Sequence, residues 1–103
     1  MELDGLGRFA DPAVLILTSL AGGDKHGYAL IKDIEEFAGV TLGPGTLYGA
    51  LARLESRRLI EALRAEDRRR PYRLTAEGAT AVRAYLSHAQ RVAKTGLARL
   101  ARA

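Results

Sequence analysis

The sequence predicts a mainly α-helical fold with one small β-hairpin and a long closing helix. Three observations carry this. Apolar residues recur at three- and four-residue steps in four separate stretches, each opened by a helix-start signal. Between the third and fourth stretches the pattern breaks into two short runs flanking Glu66-Asp67-Arg68-Arg69-Arg70-Pro71. After Thr75 the helical period runs to the last few residues of the chain.

Residues 1–10 are Gly-rich and polar and read as a mobile arm. Asp11-Pro12 opens the first helix, with an N-cap acceptor followed by proline at the first helical position. Ala13 to Ala21 is apolar nearly all round, which predicts burial on most sides, and Gly22-Gly23 ends it. A second helix starts near Asp24 or His26 and ends by Gly39. Its inner face is expected to hold Leu30, Ile31, Ile34, Phe37 and Ala38, with Lys32, Asp33, Glu35 and Glu36 mainly outside. Five residues, Gly39 to Gly43, lead to a third helix from Pro44 to about Arg58. Gly43 is its expected N-cap, and Leu42 and Leu47 stand at the N′ and N4 positions of a hydrophobic staple. Leu47, Leu51 and Leu54 share one face, leaving Thr46, Tyr48, Gly49 and Arg53 outside that stripe. Two helices joined this closely form a helix-turn-helix, with the third helix in the recognition position.

Ile60 to Ala65 and Tyr72 to Leu74 are the strand candidates. Pro71 cannot donate to a ladder, so it is expected at the hairpin rim or on an edge. A hairpin in this place is a wing. Thr75 then caps the last helix, from about Ala76. On it Val82, Tyr85, Ala89, Val92 and Gly96 follow helical steps, and Leu86, Ala93, Leu97 and Leu100 widen the stripe. At ~1.5 Å per residue this helix extends roughly 35–40 Å, more than the unit beside it can cover. A helix from a second subunit is the simplest cover. That makes Val82, Tyr85, Leu86, Ala89, Val92, Ala93, Leu97 and Leu100 the expected dimer interface, a bent-back or frayed monomeric helix being the alternative. The predicted architecture is thus a winged helix-turn-helix over residues 11–75 and a dimerisation helix over 76–103.

Composition narrows the chemistry. A chain of 103 residues suits one domain, and with six aromatic residues and no Trp its core must be aliphatic. Absence of Cys excludes disulfides, thiolate metal sites and cysteine catalysis. No apolar run reaches the roughly 18–20 residues of a membrane span, and the acidic start is unlike a signal peptide, so a cytoplasmic protein is expected. Residues 1–42 carry three bases against seven acids, a net −4, whereas residues 43–103 carry thirteen against five, a net +8. The basic part points to an anionic partner; a solvated basic surface is the plainer reading. Thirteen of the sixteen bases are Arg, whose planar fork suits phosphates and base edges.

Several pieces together resemble the PadR family of bacterial winged-helix transcriptional regulators. They are His26-Gly27-Tyr28, Gly43-Pro44-Gly45-Thr46-Leu47-Tyr48, Leu51-x-x-Leu54-Glu55, Leu59-Ile60 and Tyr72-Arg73-Leu74-Thr75-x-x-Gly78. The resemblance covers about residues 12 to 80. It implies a dimeric repressor of an inverted-repeat operator, with recognition helix and wing on DNA and the C-terminal helix for pairing, as in the family's short subgroup. It also implies a small aromatic or cationic effector near the dimer interface. The chain departs from the family pattern in having Gly43 where Ser is usual and Arg58 where Gly is usual, so the left-handed helix end is expected to be made another way. Pro71-Tyr72 replaces a pair of tyrosines.

The expected DNA contacts follow. Thr46 and Tyr48 lie in the first turns of the recognition helix, Gly45 and Gly49 allow close backbone approach, and Gly43 at the N-cap joins the expected contacts. Tyr48 has a second reading, its ring packed on the second helix with only the hydroxyl offered outward. Arg53 reaches a phosphate or forms a surface ion pair. Lys25, His26 and Tyr28 head the second helix, where free N–H groups favour an anion; a capping role fits His26 equally. Arg68, Arg69 and Arg70 form a basic wing tip for phosphates or a narrow minor groove, tempered by Glu66 and Asp67. The expected partners are therefore double-stranded operator DNA, a second copy and a small-molecule effector, with no membrane, cofactor or metal. The competing class is a protein-interaction or dimerisation module without sequence-specific DNA binding. An enzyme is not expected: no nucleophile–base pair or metal-ligand cluster is visible, and Gly43-Pro44-Gly45 lacks the Lys-Ser/Thr of a phosphate loop.

Overall fold

The computed structural model describes residues 11–103; the arm expected at 1–10 lies outside them. Four helices and three short strands follow in the order α1 (Pro12–Leu20), β1 (Lys25–His26), α2 (Gly27–Ala38), α3 (Pro44–Ser56), β2 (Ile60–Ala62), β3 (Pro71–Leu74) and α4 (Ala76–Arg102). The helix starts obey the local chemistry. Asp11 accepts from the Ala13 N–H at 2.8 Å, and Thr75 Oγ1 accepts from the Gly78 N–H at 3.0 Å. Gly43 caps α3 without a side chain, and the staple residues Leu42 and Leu47 are both buried.

α1 is the central pillar and packs on α2, α3, β3 and α4. Its Leu15, Ile16, Leu17 and Leu20 join Leu30 and Ile34 of α2, Leu47, Ala50, Leu51 and Leu54 of α3, and Ile60 in one aliphatic core. Ser19, buried among them, keeps its hydroxyl satisfied by donating to Asp33 Oδ2 at 2.6 Å. Phe37 and Ala38, expected on the inner face of α2, are both exposed: the core is already closed by Ile34 and Leu30, one and two turns earlier.

The sheet is antiparallel in the order β1-β3-β2, with Lys25 opposite Tyr72 and Ile60 opposite Leu74. The strand β1 is not foreseen in the sequence, since two residues carry no periodicity. It makes β3 the central strand. Pro71 therefore sits in the middle of the sheet rather than on an edge, and is tolerated because it is the first residue of its strand. β2 stops at Ala62, short of the expected Ala65.

At the end of α3, Arg58 itself takes the left-handed conformation, with φ 60°. Leu59 N–H reaches Leu54 O at 3.0 Å and Arg58 N–H reaches Glu55 O at 2.9 Å, a Schellman closure. The expectation that this end would be made another way is corrected: arginine occupies the position where glycine is preferred. Val82 also departs from expectation. It is buried in the protomer's own core because the first turns of α4 lie against α1.

Candidate nucleic-acid interface

The first turns of α3 present Gly43, Gly45 and Thr46 to solvent. A side chain added at either glycine would meet nothing within 4 Å, so no packing inside the protomer requires them there. Tyr48, one turn on, is 53% exposed, yet its ring leans on α2. A methyl group on Gly27 would stand 3.0 Å from Tyr48 Cζ and would collide with the hydroxyl. Of the second reading of Tyr48, the packing of the ring on the second helix describes this geometry, with the hydroxyl the atom nearest Gly27.

Beside it lies a cleft of about 360 Å³ lined by His26, Gly27, Tyr28, Tyr48, Tyr72 and Arg68 to Arg70. Residues from the head of α2, from α3 and from the hairpin thus converge on one concave surface. His26 caps α2: its Nδ1 accepts from the Ala29 N–H at 3.4 Å, which places the ring hydrogen on Nε2. Tyr28 is exposed, with Lys32 Nζ 5.7 Å from its ring centroid.

The wing tip is a two-residue turn. Glu66 and Arg69 exchange backbone hydrogen bonds of 2.7 and 2.8 Å around Asp67 and Arg68, whose φ values are 48° and 67°. Two positive φ angles are the mark of a type I′ hairpin turn, which suits glycine far better than arginine. The strained position carries Arg68 at the outermost point of the hairpin. Arg70 is turned partly inward, its guanidinium donating to Leu63 O at 3.4 Å. Glu66 and Asp67 line a separate cleft with His26, Arg69 and Pro71, so the wing's acids and its Arg68–Tyr48 side are divided between two surfaces.

Two expected contacts are placed differently. Lys25 Nζ donates to the carbonyl of Ser19 at 2.5 Å and lies 3.9 Å from Asp33, so its charge closes the end of α1 instead of facing the cleft. Arg53 is exposed and pairs with no carboxylate among the described residues; its guanidinium folds back over Gly49. Arg73, outward-facing on β3, is held by Asp24 at 3.0 Å and Glu61 at 3.9 Å.

Tyr72 and Gly27 are the cleft residues that sequence reasoning missed, although both stand inside motifs that it singles out. Tyr72 is half-buried, and its phenol is pushed above the ordinary value of 10.0 first by burial, then by the Glu55 carboxylate and the Tyr48 phenol, with Arg70 opposing. It remains a neutral hydrogen-bond donor.

On α4, Tyr85 and Ala89 are half-buried, while Leu86, Val92, Ala93, Leu97 and Leu100 are exposed. Among the described residues no cluster of His, Cys, Asp or Glu could hold a metal ion, and no helix is long and apolar enough to cross a membrane.

The profile of the Transcriptional regulator PadR-like family matches residues 16–84, from the middle of α1 into the first turns of α4. The chain belongs to this family. A PadR family transcription regulator from Clostridium difficile has a similar structure, with TM-score 0.75 and 29% identity over 86% of this chain and 94% of that one. A transcriptional regulator from Clostridium thermocellum is similar at TM-score 0.71 and 31% identity over 81% and 86% of the two chains. A transposon protein of Streptomyces fradiae is 49% identical over 71 residues, 69% of this chain. The chain spans 21% of that relative's length. The family is one of transcriptional regulators.

Proposed function

We propose that this PadR-like chain is a homodimeric repressor that binds an inverted-repeat operator through residues 11–75 and pairs through 76–103. The observation that carries the reading is the cleft in which His26, Tyr28, Tyr48 and the wing arginines meet beside the first turn of α3. α3 enters the major groove with Gly43, Gly45 and Thr46 leading, and the Tyr48 hydroxyl donates to a phosphate. Arg68 and Arg69 follow the backbone into the neighbouring minor groove, and Arg53 takes a further phosphate. Lys25 acts from behind, fixing the head of α2. Two-fold pairing sets pseudo-palindromic half-sites about one helical turn apart. A small-molecule effector at the α1–α4 side releases the DNA, and the cytoplasm is the compartment this role requires.

Binding to fragments of the gene's own upstream region across a salt series tests the reading. Affinity should fall steeply with salt, and replacing Arg68 and Arg69 by Ala should lower the log–log slope by about one for each phosphate no longer neutralised. Salt-insensitive binding, or no binding to any genomic fragment at low salt together with recovery of a protein partner, would give the interaction-module reading the advantage.

A further inference from the structure

The second half of α4 stands clear of its own protomer: every residue from Gln90 to Ala103 is exposed. Beyond Glu77 the helix carries Arg83, Arg91, Lys94, Arg99 and Arg102 and no acid. At 3.6 residues per turn, His88, Arg91, Thr95, Arg99 and Arg102 fall within an arc of about 80°. The first four of them line a shallow groove of about 420 Å³. None of these arginines meets a carboxylate among the described residues, whereas Arg73 is held by two. The helix dipole accounts for Arg99 and Arg102 in the last turn, but not for Arg91, three turns before the end.

The chemistry of this basic stripe selects its partner. From His88 to Arg102 it runs about 21 Å, the length of roughly six base pairs of duplex. Guanidinium forks suit phosphate oxygens, and His88 and Thr95 add further donors. The stripe carries no Phe, Tyr or Trp, so it offers no platform on which single-stranded bases could stack. Val82, Leu86, Leu97 and Leu100 lie roughly 150° away round the helix, and a lipid surface meeting the cations would leave those side chains unburied. A second copy offers little counter-charge on its acidic part. Asp24 is held by Arg73, Asp33 by Ser19 and Lys25, and Glu35 by the Thr41 hydroxyl.

We propose that the outer face of α4, from His88 to Arg102, is a second nucleic-acid surface, which binds the sugar–phosphate backbone of duplex DNA without reading its sequence. It is separate from the cleft. The reading turn opens α3, whereas α4 is joined to the other end of that helix through Thr75 and Arg58. The proposal rests on the homodimer of the preceding section in one respect: pairing covers the apolar stripe and leaves the basic one outward. A protein seated on its operator thus also grips duplex outside the half-sites, through contacts that position without specifying.

The probe is a labelled duplex of random sequence, titrated with the whole chain at several salt concentrations. Arg91→Gln/Arg99→Gln/Arg102→Gln keeps helix-forming side chains and removes three charges. It should bind this duplex more weakly by about tenfold or more, with a log–log salt slope shallower by about three. Its sedimentation and helical content should match those of the parent. Thr46→Ala/Arg68→Ala/Arg69→Ala should lose preference for operator and still bind the random duplex at low salt. Unchanged affinity and slope in the glutamine variant overturn the proposal and leave operator reading untouched. So does loss of pairing in that variant, which would make the stripe part of the dimer interface, and so does tighter binding of the parent to phosphatidylglycerol vesicles than to the duplex. Random-duplex binding that needs the three arginines, with no preference for any genomic fragment, removes operator reading and leaves this surface standing.

Discussion

Tyr48 is seated on the bare Cα of Gly27, so that the head of α2 and the reading turn of α3 touch through a phenol ring. The ring is more than half exposed and can move, whereas the glycine backbone cannot. Gly27→Ala should therefore cost little stability and should displace the Tyr48 hydroxyl. In operator titrations we expect an affinity loss of about tenfold, matched by Tyr48→Phe if the hydroxyl is the group that matters. Full affinity in both variants would remove Tyr48 from the interface.

Relief of strain at Arg58 is a stability experiment. A non-glycine residue in the left-handed region costs roughly 1–2 kcal/mol, and Arg58 occupies it to close α3. Arg58→Gly should raise the unfolding free energy by about 1 kcal/mol, or the melting temperature by about 4–8 °C for a domain of this size. A decrease would mean that the arginine side chain contributes packing that outweighs the strain.

At the wing the same relief should carry an opposite functional sign. Arg68→Gly removes a positive-φ penalty and also the outermost guanidinium. The variant should be as stable as the parent or more so, while binding operator several-fold more weakly and with a shallower salt slope. Asp67→Gly, which relieves strain but keeps Arg68, should bind at least as well as the parent. Equal binding by both variants would make the wing tip a bystander.

Gly78 tolerates no side chain. A Cβ there would run into the carbonyl oxygen of Leu59 and lie 2.8 Å from Leu74 Cδ1. Backbone cannot step aside as a side-chain tip can, so Gly78→Ala should destabilise by about 1–3 kcal/mol. Thr75→Ala, which removes the cap acceptor, should cost about 1 kcal/mol. Urea unfolding of the two variants gives both numbers.

Alkaline pH offers a probe of the cleft. The folded state holds the Tyr72 proton more tightly than the unfolded chain does, chiefly through burial. Its contribution to stability is complete below the ordinary value of 10.0 and is lost as pH rises from there through the folded-state value. Tyr72→Phe should remove a late step from the phenolate absorbance titration. An unchanged late part of the curve in that variant would show Tyr72 unshielded.

Much of this architecture is legible in the sequence because it rests on local chemistry. Asp11-Pro12, Leu42 with Leu47, and Thr75 fix helix starts through bonds and packing within a few residues, and the structure places all three as expected. The non-local features are not legible in this way. β1 exists because Lys25 and His26 meet Pro71 and Tyr72 from far along the chain, and no pattern in two residues announces that. Periodicity puts Phe37 inside, but how far a helix stays buried depends on where its neighbours end. The cleft shows both sides: His26, Tyr48 and the arginines are recognisable by type and position, while Gly27 and Tyr72 acquire their places through packing between elements.

Thr75 Oγ1 accepts the Gly78 N–H at the start of α4 and donates to Arg58 O at the end of α3, at 3.0 and 2.8 Å. One oxygen atom thus welds the reading helix to the pairing helix, with Leu59 O bonded alongside to the Thr75 N–H. In the dimer we propose, no slack exists at that joint, so the two reading helices are held like the jaws of a fixed-width caliper. An operator whose half-sites are moved apart by a few base pairs should bind more weakly or bend to fit, because this joint is braced by three hydrogen bonds.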